Sequence, residues 1–375
     1  MLDVHWIENN ENKSAHWRSE SGALPPARVV VADDRMSADA AIGLARQGIG
    51  LLWRGDYHRA RALLQAMGRR MKATPKVSPA DSPAHVFHLH RQARSRRART
   101  LGMLLVPFER GFVMPLRRAP DVRQACVEAY DTHDAVGELP FVTSLREVLG
   151  IVGAHEWRRK GVEVPALGSR IHPHYGVFSP VRGEYVDLVA QVPLPSRSLA
   201  FDIGTGTGVL AAVLARRGVR RVVATDRDRR AVACARDNIG RLGLEGRVEV
   251  LQTDLFPPGR AALIVCNPPW IPAKAASPLD HAVFDPGNRM LRGFVGGLAG
   301  HLEPGGVGWL IISDLAEHLS LRSRAELLSI FDAAGLRVVG KLDVRPRHPR
   351  VFDEADALHA ARSAETTSLW RLVHS

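Results

Sequence analysis

Beyond about residue 165 the chain alternates short apolar runs with stretches of helical spacing. "RSLAFDIG", "RRVVATD", "RVEVLQTD", "ALIVCNPP" and "GVGWLIISD" read as strands, with helices over residues 209–217 and 229–242 among them. This rhythm of strand, turn and helix predicts a parallel sheet covered by helices. "GLRVVGKLDVRP" and "TSLWRLVHS" have only the short helical pattern "DEADALHAARS" between them. They are expected to form an antiparallel pair that closes the sheet at its edge. No repeat of solenoid type is present.

The earlier part of the chain follows helical spacing instead. Residues 37–54, "SADAAIGLARQGIGLLWR", read as a helix capped by Ser37, which Gly55 and Asp56 break. Tyr57, Ala60, Leu64, Met67 and Met71 then mark a second helix, so a helical hairpin is expected. A Pro and Ser linker follows, "ATPKVSPADSPA", in which Pro75, Pro79 and Pro83 forbid a helix. In "HVFHLHRQARSRRARTLG", Arg91, Arg94, Arg96, Arg97 and Arg99 would point to nearly every side of a helix, leaving no clear apolar stripe to bury. The chain is thus expected to hold a mainly helical N-terminal domain, residues 1–165, and an α/β domain, residues 166–375.

Charge sharpens this division. The net charge is +12, and residues 54–123 alone carry 16 Lys and Arg against 4 Asp and Glu, an excess equal to that of the whole chain. Whatever the charge attracts, it attracts to one region. The three cysteines, Cys126, Cys234 and Cys266, are too far apart for a CxxC motif and fit a reducing compartment. No window is long and apolar enough to span a bilayer, and the first residues lack a signal-peptide pattern, so a cytoplasmic protein is expected. His85, His88 and His90 have no Cys or carboxylate at ligand spacing, so no metal is expected. His172 and His174 read as packing or surface histidines.

The candidate chemistry lies in "FDIGTGTGVL". It places Gly204, Gly206 and Gly208 where a strand ends and a helix begins. Glycine there permits a tight turn and close approach of a ligand, and the helix start offers free N–H groups. Asp226 ends the next strand, where such folds set a carboxylate on ribose hydroxyls. Asp254 ends the third strand and Asn267 the fourth. A dinucleotide pattern G-x-G-x-x-G would need glycine at 209, which is Val209, and no lysine completes a phosphate-cradling loop. Asp202, two residues before the first glycine, suits a ligand with a positive end and no phosphate, such as S-adenosylmethionine.

"DIGTGTGVL", "ATD", "QTDLF" and "NPPW", in this order and spacing, resemble the class I S-adenosylmethionine-dependent methyltransferases, specifically the small family. That family includes release-factor glutamine methyltransferases and ribosomal-RNA guanine and adenine N-methyltransferases. Residues 176–189, "GVFSPVRGEYVDLV", are similar to the stretch before the glycine loop in this family and in amino-group DNA methyltransferases. The resemblance covers about residues 170–375. It implies an α/β fold with a Rossmann-like seven-stranded sheet, mostly parallel with an antiparallel last strand, and S-adenosyl-L-methionine as cofactor. It further implies that Phe178 and Pro180 flank the cofactor and that Gly204 and Gly206, in one loop with Thr205 and Gly208, lie under its methionine part. Asp226 would hold the ribose, and Asp254 with the Leu255 backbone would face the adenine. Asn267, beside the cofactor, would face the substrate together with Pro268, Pro269 and Trp270. Asp202 would orient the loop and reach the ammonium through water, and Asp285 in "FDPGN" would shape the substrate loop.

"NPPW" suggests how such a site works. An amide nitrogen or an exocyclic purine amine is a weak nucleophile because its lone pair is delocalised. Two adjacent prolines fix two φ angles and remove two backbone donors. The Asn267 side-chain oxygen and the Pro268 carbonyl are then stiff acceptors for the two N–H hydrogens, holding the nitrogen in its attacking form with little reorganisation. Trp270 offers a stacking face, worth roughly 1–3 kcal/mol for a base. Direct transfer is expected, with no covalent intermediate, no metal and no obligate strong base. The preferred substrate is an exocyclic base amine of ribosomal or transfer RNA, with Arg94, Arg96, Arg97 and Arg99 on phosphates. A side-chain amide of a translation protein is the alternative. A binding module without catalysis is a third reading, against which the intact NPPW and glycine loop speak.

Overall fold

The computed structural model describes residues 2–375 except 72–74, 76–77, 79, 131–138, 276–278 and 348. Pro79 and much of the expected linker lie outside the described residues. The chain divides into two units, Met1–Lys76 with His88–Glu156, and Val77–Phe87 with Trp157–Ser375. The expected boundary stood at residue 165, and the segment 77–87 was expected in the first domain.

The first unit is built on a sheet. Its strands are β1 Asp3–Glu8, β2 Glu11–Trp17, β3 Arg28–Ala32, β4 Ile49–Trp53, β5 Leu104–Phe108 and β6 Phe141–Ser144, in spatial order β1-β2-β6-β5-β4-β3. The sheet is mixed: β2 pairs parallel with β6, and β4 parallel with both β3 and β5, while β1/β2 and β5/β6 are antiparallel. It curls so that its edge strands β1 and β3 approach each other. Val4, Trp6, Val29, Leu52, Leu105 and Val142 fill the interior that they share.

The helices of this unit are α1 Ala38–Arg46, α2 Tyr57–Arg70, α4 Arg123–Ala129 and most of α3 Pro83–Leu101 and α5 Leu145–Lys160. Helices alone therefore do not make this domain, and the expectation of a mainly helical fold omitted its six-stranded core. The expected hairpin is corrected as well. Ser37 does cap α1, accepting from the Ala40 N–H, but the helix stops at Gly48, whose φ of +79° suits glycine. Ile49–Trp53 continues as a strand buried at every position. A fully buried strand shows no alternation, so its apolar run passes for a helix segment by spacing alone. The second helix stands, capped by Asp56. Pro83 opens α3, a position where its missing N–H costs nothing.

The second unit opens with the hairpin β7 Val162–Val164 and β8 Ser169–Ile171, then α6 Glu184–Gln191. Its sheet comprises β9 Leu199–Ile203, β10 Arg221–Asp226, β11 Val248–Gln252, β12 Ala261–Cys266, β13 Leu302–Ser313, β14 Leu336–Val344 and β15 Thr367–His374. Their order is β11-β10-β9-β12-β13-β15-β14, parallel throughout except for β15, which is antiparallel to both neighbours. This is the expected mostly parallel sheet with an antiparallel last strand. The helices are α7 Val209–Arg216, α8 Arg229–Arg241, α9 Arg289–His301, α10 Leu315–His318, α11 Arg324–Ala333 and α12 His359–Ala364. Alternate residues of the central strands serve opposite faces: Leu263 and Val265 join Trp309 and α7 on one, while Ile264 and Cys266 join Phe201 and α9 on the other.

Strand order reverses at β9, which has β10 on one side and β12 on the other. The crevice beyond the carboxyl ends of strands at such a switch point is where open α/β sheets bind ligands.

Candidate active site

Register places the candidate residues in one row. Ile203 of β9 pairs with Thr225 of β10 and Cys266 of β12, so the next residues, Gly204, Asp226 and Asn267, leave three adjacent strands together. Gly204, Gly206 and Gly208 all have positive φ, +71°, +55° and +82°. Two of them also meet a spatial demand. A Cβ on Gly204 would lie 2.3 Å from the Met290 methyl carbon, and one on Gly208 would crowd Ala235 of α8 at 3.3 Å. Nothing lies within 4 Å of where a Cβ on Gly206 would stand, so open space covers the middle of the loop.

Two carboxylates brace this loop. Asp202 is 1% exposed, and its Oδ2 accepts from Thr205 Oγ1 at 2.6 Å and from the Ala211 N–H at 3.0 Å, tying the loop to the first turn of α7. Burial pushes its carboxyl up to about 6, against the opposing pull of those two bonds. Asp226 accepts from the Gly206 N–H at 3.0 Å with Oδ2 and from the Asp228 N–H at 3.0 Å with Oδ1. Burial raises its pKa too, opposed by the same backbone donors. Each Asp226 oxygen keeps acceptor capacity beyond that single bond.

The third strand joins through Thr225, whose hydroxyl donates to the Leu255 carbonyl at 2.6 Å. Leu255 has a positive φ of +63°. The neighbouring Asp254 is exposed and pairs with Arg289 at 2.9 Å.

The NPPW corner differs from expectation in two respects. Trp270 Nε1 donates to Asn267 Oδ1 at 2.9 Å, so one lone pair of the oxygen expected to grip substrate is already used. The Trp270 face expected to be free for stacking also has a neighbour, the Arg182 guanidinium, 5.3 Å from the ring centroid. Arg182 is held by Glu184 at 2.8 Å and Glu365 at 3.1 Å, and Glu365 accepts from Ser313 Oγ at 2.7 Å. Beyond the corner, Ile271 exchanges backbone bonds with Val283 and Asp285. The buried Asp285 carboxylate accepts from the Met290 and Leu291 N–H groups, which fixes the start of α9 and with it the methionine over Gly204.

Phe178 is half-buried and Pro180 buried, and the Ser179 hydroxyl between them is buried with no hydrogen-bond partner. His172 and His174 are packing residues: one bonds Asn238 and the Arg158 carbonyl, the other Asp237 at 3.1 Å. Among the arginines expected on phosphates, Arg94, Arg96 and Arg99 are exposed on α3. Arg97 is not free for docking, because its Nε and Nη2 donate to the Met71 and Gly68 carbonyls at 3.1 and 2.8 Å and close the last turn of α2. No cluster of three His, Cys, Asp or Glu able to hold a metal occurs among the described residues. No helix among them is long and apolar enough to cross a membrane.

Sequence reasoning missed Arg182, Glu365, Ser313 and Met290. Arg182 stands two residues after Pro180 in a stretch already singled out. The other three come from distant segments, and nothing local marks them.

Residues 169–320 match the family model described as Methyltransferase small domain. A release factor glutamine methyltransferase of Cereibacter sphaeroides is 35% identical over 39% of this chain and 56% of its own length. A ribosomal protein L11 methyltransferase of Pelotomaculum thermopropionicum is 36% identical over 37% and 38%. A tRNA1(Val) (adenine(37)-N6)-methyltransferase of Vibrio parahaemolyticus is 39% identical over 24% and 40%. The chain thus spans about half the length, or less, of these curated relatives.

Proposed function

We propose, from the match of residues 169–320 to the methyltransferase small domain, that the chain is an S-adenosylmethionine-dependent N-methyltransferase acting on a planar amino nitrogen, an exocyclic base amine of RNA. The observation that carries this reading is the row Asp226, Gly204, Asn267, which sets the amide of an Asn-Pro-Pro corner one strand away from a glycine loop braced by carboxylates.

The loop fits such a cofactor. Space is open over Gly206, carboxylates stand at Asp202 and Asp226, and the loop contains no Lys or Arg for a phosphate. Gly204, Thr205, Gly206 and Gly208 would form the floor for the methionine part, Asp226 would take ribose hydroxyls, and Asp254 with Leu255 would face the adenine. Phe178, Pro180 and the unpartnered Ser179 hydroxyl would flank it. When bound, S-adenosylmethionine supplies a methyl group on a cationic sulfur. The chain's own task is to bind, orient and desolvate the acceptor nitrogen. The Pro268 carbonyl and the remaining lone pair of Asn267 Oδ1 take its two hydrogens, and the proline pair keeps both acceptors in place.

RNA is supported by charge. The basic excess falls in residues 54–123, and Arg94, Arg96 and Arg99 present it on α3. A second reading is a glutamine amide of a translation protein: two of the three relatives are named for protein substrates, and one of those names specifies glutamine. Either substrate places the enzyme in the cytoplasm.

The test supplies labelled S-adenosylmethionine to the protein with extract from a strain lacking it. Label that nuclease releases supports the RNA reading, and label that protease releases replaces it with the second. No label in either overturns catalysis in favour of a binding module. If RNA is the substrate, replacing Arg94, Arg96 and Arg99 by Ala should weaken binding and flatten its salt dependence. The log–log slope should fall by about 0.7 for each single-strand phosphate that the variant no longer neutralises. An unchanged slope removes α3 from the interface.

A further inference from the structure

We infer that Trp270 is a positioning residue for Asn267 rather than mainly a stacking platform: its indole N–H locks the Asn267 amide with the oxygen turned to accept, and Arg182 holds the indole in place. The inference deepens the proposed methyl transfer and rests on it for its catalytic meaning.

An amide side chain has two faces of opposite polarity. Turned through 180°, Asn267 would present an NH2 donor where its oxygen stood, and a donor facing a substrate N–H repels it. The two orientations differ little in shape, so packing alone does not choose between them. An indole N–H chooses, because it can only donate and therefore binds only the amide oxygen. The 2.9 Å bond from Trp270 Nε1 to Asn267 Oδ1 thus defines which atom is where. A carbonyl oxygen has two lone pairs, so the bond leaves one for the substrate.

The lock works only if the indole is itself fixed. Its ring packs against apolar clusters on both faces of the sheet. The Arg182 guanidinium lies over it at 5.3 Å, within the range of a cation–π contact. That guanidinium is clamped by Glu184 and Glu365, whose side chains are 5% and 2% exposed, and the Ser313 hydroxyl holds Glu365. Three segments distant in sequence, the approach to α6, the end of β13 and the turn before β15, converge on one tryptophan. A stacking platform alone requires none of this.

Two measurements decide the matter. In 15N-tryptophan-labelled full-length protein, Trp270→Phe identifies the Trp270 indole signal by its loss. Asn267→Ala should then shift that signal and speed its exchange with solvent at least tenfold, and Arg182→Met should do so to a smaller extent. An unmoved signal in Asn267→Ala overturns the lock, whatever the protein methylates.

The second measurement is transfer of label to the extract named above. Trp270→Phe keeps an aromatic face, though a smaller one, and loses the N–H. It should lower kcat about tenfold, the worth of one net hydrogen bond, with affinity for S-adenosylhomocysteine within twofold of wild type and little change in KM. Should Trp270→Phe fold poorly, benzothienylalanine at position 270, which keeps the two-ring face without an N–H, gives the same reading. Full kcat with a raised KM in either variant makes Trp270 a platform and overturns the proposal. No label with the wild-type protein disproves the methyltransferase reading, and the indole signal still decides the lock.

Discussion

Asp56 and Asp202 are both closed off from solvent, one in each unit, and are held in opposite ways. Asp56 caps α2 through the His58 and Arg59 N–H groups and takes Arg118 at 2.6 Å and Arg117 at 3.3 Å. The Arg118 hydrogen bond holds its carboxyl well below the usual carboxylate range. Asp202 has a hydroxyl and one N–H for partners, belongs to no ion pair among the described residues, and is pushed up to about 6 by burial. The charge of Asp56 is matched inside the chain. That of Asp202 is not, and under the proposed function it would be available to the positive end of the cofactor.

Removing the unmatched carboxylate should have the largest effect. Asp202→Ala leaves the Thr205 hydroxyl and the Ala211 N–H buried without a partner. It should cost about 2–4 kcal/mol of stability and abolish binding of S-adenosylhomocysteine, measured by denaturant titration and calorimetry. Asp202→Asn keeps an acceptor oxygen and should be far milder in stability. Equal stability in all three proteins would break the contrast at its base.

Acidity sharpens it next. The folded-state pKa of Asp202 lies above its ordinary value of 3.8, so between about pH 4 and 6 the folded state holds more protons than the unfolded one. This group's contribution to stability should therefore fall as pH rises through that window and level off above pH 6. Relative to Asp202→Asn, wild type should lose on the order of 3 kcal/mol between pH 4 and 7. Affinity for the cationic cofactor should drop below about pH 6 in wild type and not in the variant. Asp56 has the opposite sign: its contribution is present above pH 3.8 and is lost as pH falls through its lowered folded-state value.

Two smaller effects complete the series. Asp226→Ala frees the Gly206 N–H and should weaken S-adenosylhomocysteine binding about tenfold, the worth of one hydrogen bond. Asp56→Ala should act on the first unit alone, speeding hydrogen exchange at the His58 and Arg59 amides while cofactor affinity is unchanged. If Asp56→Ala lowers that affinity as far as Asp226→Ala does, the division of roles between the two units is wrong.

The two units also differ in how far their sequences disclose them. Each strand of β9 to β13 is a short apolar run set off by turns, and only the six-residue α12, too short for a crossover, lies between β14 and β15, so even the antiparallel edge was legible. In the first unit β4 is apolar throughout and follows α1 after two residues, so its spacing imitated a continued helix. Strands β1 and β2 pair locally, but β2 meets β6 across more than a hundred residues, a pairing that no local pattern announces. The glycine loop with Asp202, and the NPPW corner, stood out in the sequence because the residues of each lie side by side, and Asp226 because it ends a strand. Arg97 was misread because residue type says nothing about where a guanidinium turns.

By itself the sequence determined the period of most elements of the second unit, the glycines that a left-handed turn requires and the residue types expected against a cationic nucleoside. These follow from backbone sterics and side-chain chemistry, which act over a few neighbours. Tertiary structure alone decided that Asn267 stands beside Gly204, that Met290 covers that glycine, and that Arg182, Glu365 and Ser313 meet around Trp270. Such pairings join segments up to 183 residues apart. Only the register of the sheet and the burial of charge in the folded chain bring them together.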